Sequence, residues 1–189
     1  MAAALKKPAY GASRFTYADY CNWDDSERWE LIDGVPYAMA APSIPHQRLL
    51  RNIGYNLHHF LRGKKCEVLY APTDVRLNAD SLDNTVIQPD ILVVCDKSKL
   101  TSAGLVGAPD MAVEILSPSS AYHDTVRKHK LYMEAGVREF WFVDPESLTV
   151  VTYILCDGSY TSKIYEKPDI VPVSVLEGCN VDLAEVFEE

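Results

Sequence analysis

Val86-Ile-Gln-Pro-Asp90-Ile-Leu-Val-Val-Cys95 and Asp110-Met-Ala-Val-Glu114-Ile-Leu116 are the segments on which the fold turns. Each is a near-continuous apolar run of strand length, the pattern of a strand covered on both faces. Glu67–Leu77, upstream, is a third extended segment. Downstream, Ser117-Pro-Ser-Ser120 leads into a helical pattern from about Tyr122 to Ala135, with Gly136 as its stop. Glu139–Val143 returns to strand character. Thr149–Cys156 and Thr161–Glu166 form a hairpin across Asp157-Gly158, and the tail from Val173 to Glu189 holds a short strand and one helical turn.

Toward the N-terminus, Pro45–Arg62 is the strongest helix, with His46, Leu49, Leu50, Ile53, Leu57, Phe60 and Leu61 at helical spacing. Trp29–Asp33, Gly34 and Val35–Met39 read as a hairpin, because Asp-Gly is a strong turn signal. Phe15–Asp25 reads as a short helix with Thr16 near its start, and residues 1–13 as a loosely ordered arm. The order of elements predicts an α/β fold, a central mixed β-sheet flanked by helices, as a single domain over residues 14–189.

Composition narrows the classes. No stretch approaches the roughly 20 apolar residues that span a bilayer. The opening Met1-Ala-Ala-Ala-Leu-Lys-Lys lacks a long apolar core, so a cytoplasmic location is expected. Five scattered cysteines, Cys21, Cys66, Cys95, Cys156 and Cys179, argue against a disulfide framework and against a structural zinc site. No phosphate-binding glycine loop and no Gly-x-Ser-x-Gly elbow occurs.

Chemistry concentrates on three residues. Asp90 heads one apolar strand and Glu114 lies inside another. A carboxylate there is costly to bury unless it is paired or binds a cation. A divalent ion between the two relieves both burdens, and hard oxygen ligands suit magnesium or manganese. Strand-end acids bonded to backbone or to an arginine give the same pattern. On the following helix, Asp124, Lys128, Leu131, Tyr132 and Ala135 share one face at about 100° per residue. Arg127, Lys130 and Glu134 fall elsewhere. Lys128 therefore faces the sheet, either paired with Asp90 and Glu114 or snorkelling past the edge of the stripe. His46 looks inward from the long helix, as a ligand or as a satisfied core histidine. Glu30 interrupts a hairpin strand and either joins the acidic cluster or faces solvent. Asp74, Asp110 and Asp144 read as turn and strand-end residues.

The series Glu30-Leu-Ile-Asp-Gly34, His46, Gln88-Pro-Asp90-Ile, Ala108-Pro-Asp-Met-Ala-Val-Glu114-Ile-Leu-Ser-Pro-Ser119, Asp124-x-x-x-Lys128-x-x-x-Tyr132 and Ala135-Gly-Val-x-Glu-Phe-Trp-Phe-Val-Asp-Pro145 resembles the Uma-type restriction endonuclease family. The match runs from about Phe15 to Val151. That family is assigned to the PD-(D/E)XK nuclease superfamily, so the resemblance implies a restriction-endonuclease-like fold and metal-dependent hydrolysis of DNA. Pro89-Asp90 matches the first acidic motif and Glu114 the second. The superfamily pattern places lysine two residues after that acid, where this chain has Leu116; Lys128 matches the family's displaced lysine.

The resemblance implies Mg2+, or Mn2+, held by Asp90, Glu114 and the carbonyl of Ile115, with Asp90, Glu114 and Lys128 as the reactive groups. Glu30, His46, Asp124 and Tyr132 are the supporting candidates. A homodimer is expected if both strands are cut, because one site cuts one strand. The net charge of −9 runs against the basic footprint usual in nucleic-acid binding, so positive surface has to be local, at Arg127, Lys128, His129, Lys130 and Arg138. A catalytically silent nucleic-acid- or protein-binding module on the same fold is the alternative.

Overall fold

The computed structural model describes residues 14–23, 27–117 and 124–188, so the expected arm at 1–13 lies outside the described residues. The first helix, α1 (Tyr17–Tyr20), is one turn, shorter than the expected Phe15–Asp25. It starts where Thr16 donates both N–H and Oγ1–H to Asp19 Oδ2 at 2.8 Å. Strands β1 (Trp29–Ile32) and β2 (Val35–Ala38) form the hairpin. Its two turn residues, Asp33 and Gly34, have φ of 50° and 76°, the positive pair a two-residue hairpin demands. Helix α2 (Ile44–Leu61) begins at Ser43, whose side chain accepts the N–H of His46.

Both extended runs before Asp110 break in the middle. Glu67–Leu77 divides into β3 (Glu67–Tyr70) and β4 (Val75–Arg76), and Val86–Cys95 into β5 (Val86–Ile87) and β6 (Ile91–Val94). Pro72 and Pro89 fall at the breaks, and proline has no N–H for a ladder. Each run thereby serves two sheets. Strands β4 and β5 join the hairpin and two short strands, β7 (Leu100–Thr101) and β8 (Gly104–Val106), in the order β2-β1-β5-β4-β8-β7. Strands β3 and β6 join the second sheet. The breaks are themselves tied together, Ala71 N–H donating to Asp90 O at 3.1 Å.

The second sheet is the central one. Strand β9 (Met111–Ile115) runs antiparallel to β6 and parallel to β10 (Glu139–Asp144). The crossover between β9 and β10 contains a π-helical segment, Asp124–Lys128, that continues as α3 (His129–Ala135) and ends at Gly136 with φ 72°. Strands β11 (Thr149–Cys156) and β12 (Ser159–Glu166) extend the sheet in the order β12-β11-β10-β9-β6-β3. A small hairpin, β13 (Ile170–Pro172) with β14 (Asn180–Asp182), and the turn α4 (Leu183–Val186) close the chain.

The central sheet is apolar on both faces. Ile91, Val93, Met111, Val113, Ile115, Trp141 and Val143 meet α2 and the C-terminal hairpin. Leu92, Val94, Ala112, Phe140 and Phe142 meet α3 and residues of the other sheet. The aromatic run Phe140-Trp-Phe142 is thus core, at most 2% exposed. The architecture is the expected mixed sheet with helices on both faces.

The cysteine reading needs correction. Cys66 and Cys95 form a disulfide with an S–S distance of 2.05 Å. They flank β3 and β6, whose antiparallel register pairs Glu67 with Val94 and so sets the two cysteines opposite each other. Nothing in a sequence separation of 29 signals that pairing.

Candidate active site

Strand alternation decides where Glu114 points. Met111, Val113 and Ile115 face α2, so Ala112 and Glu114 face α3. There Glu114 Oε2 lies 2.9 Å from Lys128 Nζ, and Glu30 Oε1, from β1, lies 2.9 Å from the same nitrogen. Exposures of 4%, 3% and 5% for Glu114, Lys128 and Glu30 put this ammonium between two carboxylates out of water. The hydroxyl of Tyr132 donates a short hydrogen bond to Glu114 Oε1. Burial, then the charge of Glu114, holds the Tyr132 phenol well above its ordinary value, so it stays a donor. Glu30 also accepts the N–H of Gln88 at 2.8 Å.

Asp90 stands at the sheet-to-sheet break just before β6. Its Oδ2 accepts Ile115 N–H at 2.8 Å and lies 3.1 Å from His46 Nε2. The carboxylate is thereby fixed to the residue after Glu114 and to the first turn of α2. Asp90, Glu114, Ile115, Lys128, Glu30 and His46 all line one cleft of about 620 Å³. Three carboxylates face it against one ammonium, an acidic floor suited to a cation. Asp90 and Glu114 supply the hard oxygen donors that magnesium takes. Among the described residues no group of three or more His, Cys, Asp or Glu side chains stands in metal-ligating geometry. A bound ion would therefore rest on these two carboxylates with backbone oxygen and water.

Lys128, Tyr132, Glu30 and His46 thus come together with Asp90 and Glu114. The side chain of Asp124 lies outside the described residues, as does the expected helix start near Tyr122. Arg127 differs from expectation. It lines the cleft, stacks its guanidinium 4.5 Å over the Tyr37 ring, and buries Nη1. The π-helical segment is the reason, since its wider turn swings successive residues through less than the 100° of an α-helix. The expected basic patch does not form. Lys128 is interior, Lys130 pairs with Glu134, Arg138 pairs with Asp110, and His129 packs between Phe140 and Tyr153.

Sequence reasoning assigned no role to Gln88, yet it links the layers. It is 6% exposed, accepts Arg28 Nε and Nη2 at 3.1 and 2.8 Å, and donates to Asp74 Oδ1 at 2.9 Å. Tyr20 OH bonds the same Asp74 oxygen at 2.9 Å, so Asp74 belongs to this network as well as to its turn. The available signal was the polar Gln88 inside an apolar run beside Asp90.

A mixed sheet with a β9–helix–β10 crossover, and carboxylates and a lysine gathered at the sheet edge, define a protein of the restriction-endonuclease-like fold. The chain belongs to the Uma2 family, described as "Putative restriction endonuclease", whose match covers residues 16–184. It is similar to a crystal structure described as "a putative nuclease belonging to DUF820" from Anabaena variabilis ATCC 29413. The TM-score is 0.76 at 17% identity, over 92% of this chain and 97% of that one. It is also 29% identical over 138 residues, 71% of each chain, to "Uncharacterized protein slr1290" of Synechocystis sp. (strain ATCC 27184 / PCC 6803 / Kazusa). No described helix is long and apolar enough to cross a membrane.

Proposed function

We propose that the protein is a metal-dependent endonuclease that hydrolyses phosphodiester bonds in DNA at the Asp90–Glu114–Lys128 cleft. The observation that carries this reading is the lysine held 2.9 Å from Glu114, beside a second carboxylate fixed to the adjacent amide. Asp90, Glu114 and the carbonyl of Ile115 would hold Mg2+, or Mn2+. Such an ion, when bound, acidifies a water and neutralises charge on the phosphate.

The chain's own groups supply the remainder. Lys128 orients the water and offsets negative charge developing on the phosphate oxygens. Glu30 and Glu114 keep that lysine ionised and aimed. Tyr132 holds Glu114, and His46 holds Asp90, so neither carboxylate swings away. These four act by positioning. Residues 14–189 would work as one domain in the cytoplasm, and a homodimer would cut both strands of a duplex.

The test is nicking of plasmid DNA with magnesium by the wild type, Asp90→Ala and Lys128→Ala. Loss in both variants is expected; equal activity in all three rules the site out. One observation favours a silent binding module instead: both Glu114 oxygens already accept hydrogen bonds, from Lys128 and Tyr132. Magnesium titration separates the two, because the enzyme binds the ion in a manner lost in Asp90→Ala and a silent module has no such need.

A further inference from the structure

We infer that the cleft takes a single nucleic-acid strand, a free end or an unpaired stretch, with Arg127 gripping one phosphate and Tyr37 beside it offering a surface for a base. The inference rests on the nuclease reading and names its substrate form.

Depth is the first argument. Glu114, Lys128 and Glu30 are at most 5% exposed, on the floor of a cleft of about 620 Å³. That volume falls in the range of small-molecule pockets, roughly 300–1,000 Å³, and matches pieces of nucleotide size. Duplex DNA is a stiff rod that carries its phosphates on a convex edge, and it meets exposed surface better than a recess.

Charge is the second. A duplex binder neutralises many phosphates, about 6–10 in a strongly salt-dependent complex. This chain carries −9 overall, and Lys130 and Arg138 outside the cleft are engaged with acids. Inside it stand two guanidiniums, those of Arg28 and Arg127. That suffices for one or two phosphates and for no long track.

The third argument is the Arg127 side chain itself. Its Nη1 is buried without a hydrogen-bond partner among the described residues, and it sits one residue from Lys128. A buried guanidinium N–H without an acceptor is costly, and a phosphate oxygen supplies that acceptor in charge-assisted form. A cation stacked on an aromatic ring beside an apolar wall, here Ile32 and Leu50, is the combination single-strand binders use.

The experiment is fluorescence anisotropy with a labelled thymidine hexanucleotide and a blunt duplex, run beside the plasmid nicking assay. The wild type is expected to bind the single strand at least about tenfold more tightly, and Arg127→Ala to lose roughly tenfold of that affinity. Arg127→Lys should recover only part, since lysine keeps the charge and loses the planar stack. Tyr37→Ala should weaken single-strand binding without affecting duplex, with thermal unfolding used to check that each variant is folded. Equal or tighter duplex binding, no single-strand binding, or wild-type affinity in Arg127→Ala overturns the inference. Nicking that depends on Asp90 would leave the nuclease reading standing in each of those cases. Loss of nicking activity altogether, with Arg127-dependent single-strand binding intact, would sink that reading and keep this one.

Discussion

Glu114 and Glu139 are both buried glutamates on adjacent parallel strands, and they do opposite things. Glu139 points to the α2 side of the sheet, where it accepts Trp141 Nε1–H at 2.7 Å and Val175 N–H at 2.9 Å. Its partners are neutral donors, it opens onto no cleft, and it ties the C-terminal segment to β10. Glu114 points to the α3 side, where a charged lysine and a phenol meet it at a cleft. Burial of a carboxylate therefore marks no site by itself. What separates the two is the charge of the partner and an opening through which a substrate can reach it.

That contrast can be broken most severely at Lys128. Lys128→Ala leaves Glu30 and Glu114 buried without their shared counter-ion, and should cost about 3–5 kcal/mol in denaturant unfolding. Glu30→Gln added to it should recover part of the loss, and no recovery would mean that packing, not charge, dominates. On the other face, Leu57→Ala in α2, which is fully buried, should cost about 2–5 kcal/mol. Its nicking rate per folded molecule should stay at the wild-type level, and a fall would show that the two faces are coupled.

Glu139→Gln should shift stability by about 1 kcal/mol, in a pH-dependent way. Burial holds the Glu139 carboxyl above its ordinary value of 4.5. Its stabilising contribution is therefore present below about pH 4.5 and is lost as pH rises through the folded value. The difference between wild type and Glu139→Gln should move in favour of the glutamine from pH 4 to pH 7, and the opposite slope in urea titrations would overturn the assignment. The smallest effect belongs to Lys130→Ala. Lys130 is two residues from Lys128 but pairs with Glu134 in water, so its removal should stay within about 0.5 kcal/mol and leave nicking unchanged.

Much of this geometry was legible in the chain. Alternation in Met111–Ile115 sets Glu114 opposite to Val113, and helical spacing aims Lys128, Leu131 and Tyr132 at the sheet, because side-chain direction follows from local backbone period. The Arg127 assignment failed for a local reason: a π turn replaced the α turn on which the face was drawn. The two long strands failed for another. Pro72 and Pro89 were visible, yet only the assembled sheets show that the chain changes partners there.

Sequence by itself determined the alternating strands, the inward lysine, the family and the pair Asp90 and Glu114, all of which rest on near-neighbour spacing or on motif order. Tertiary structure alone decided what touches what across distance. It brought Glu30 to Lys128, His46 to Asp90, Gln88 to Asp74, and Cys66 to Cys95. These pairings depend on which strands become neighbours and in what register, and hydrogen-bond register across a sheet is set by packing of the whole chain.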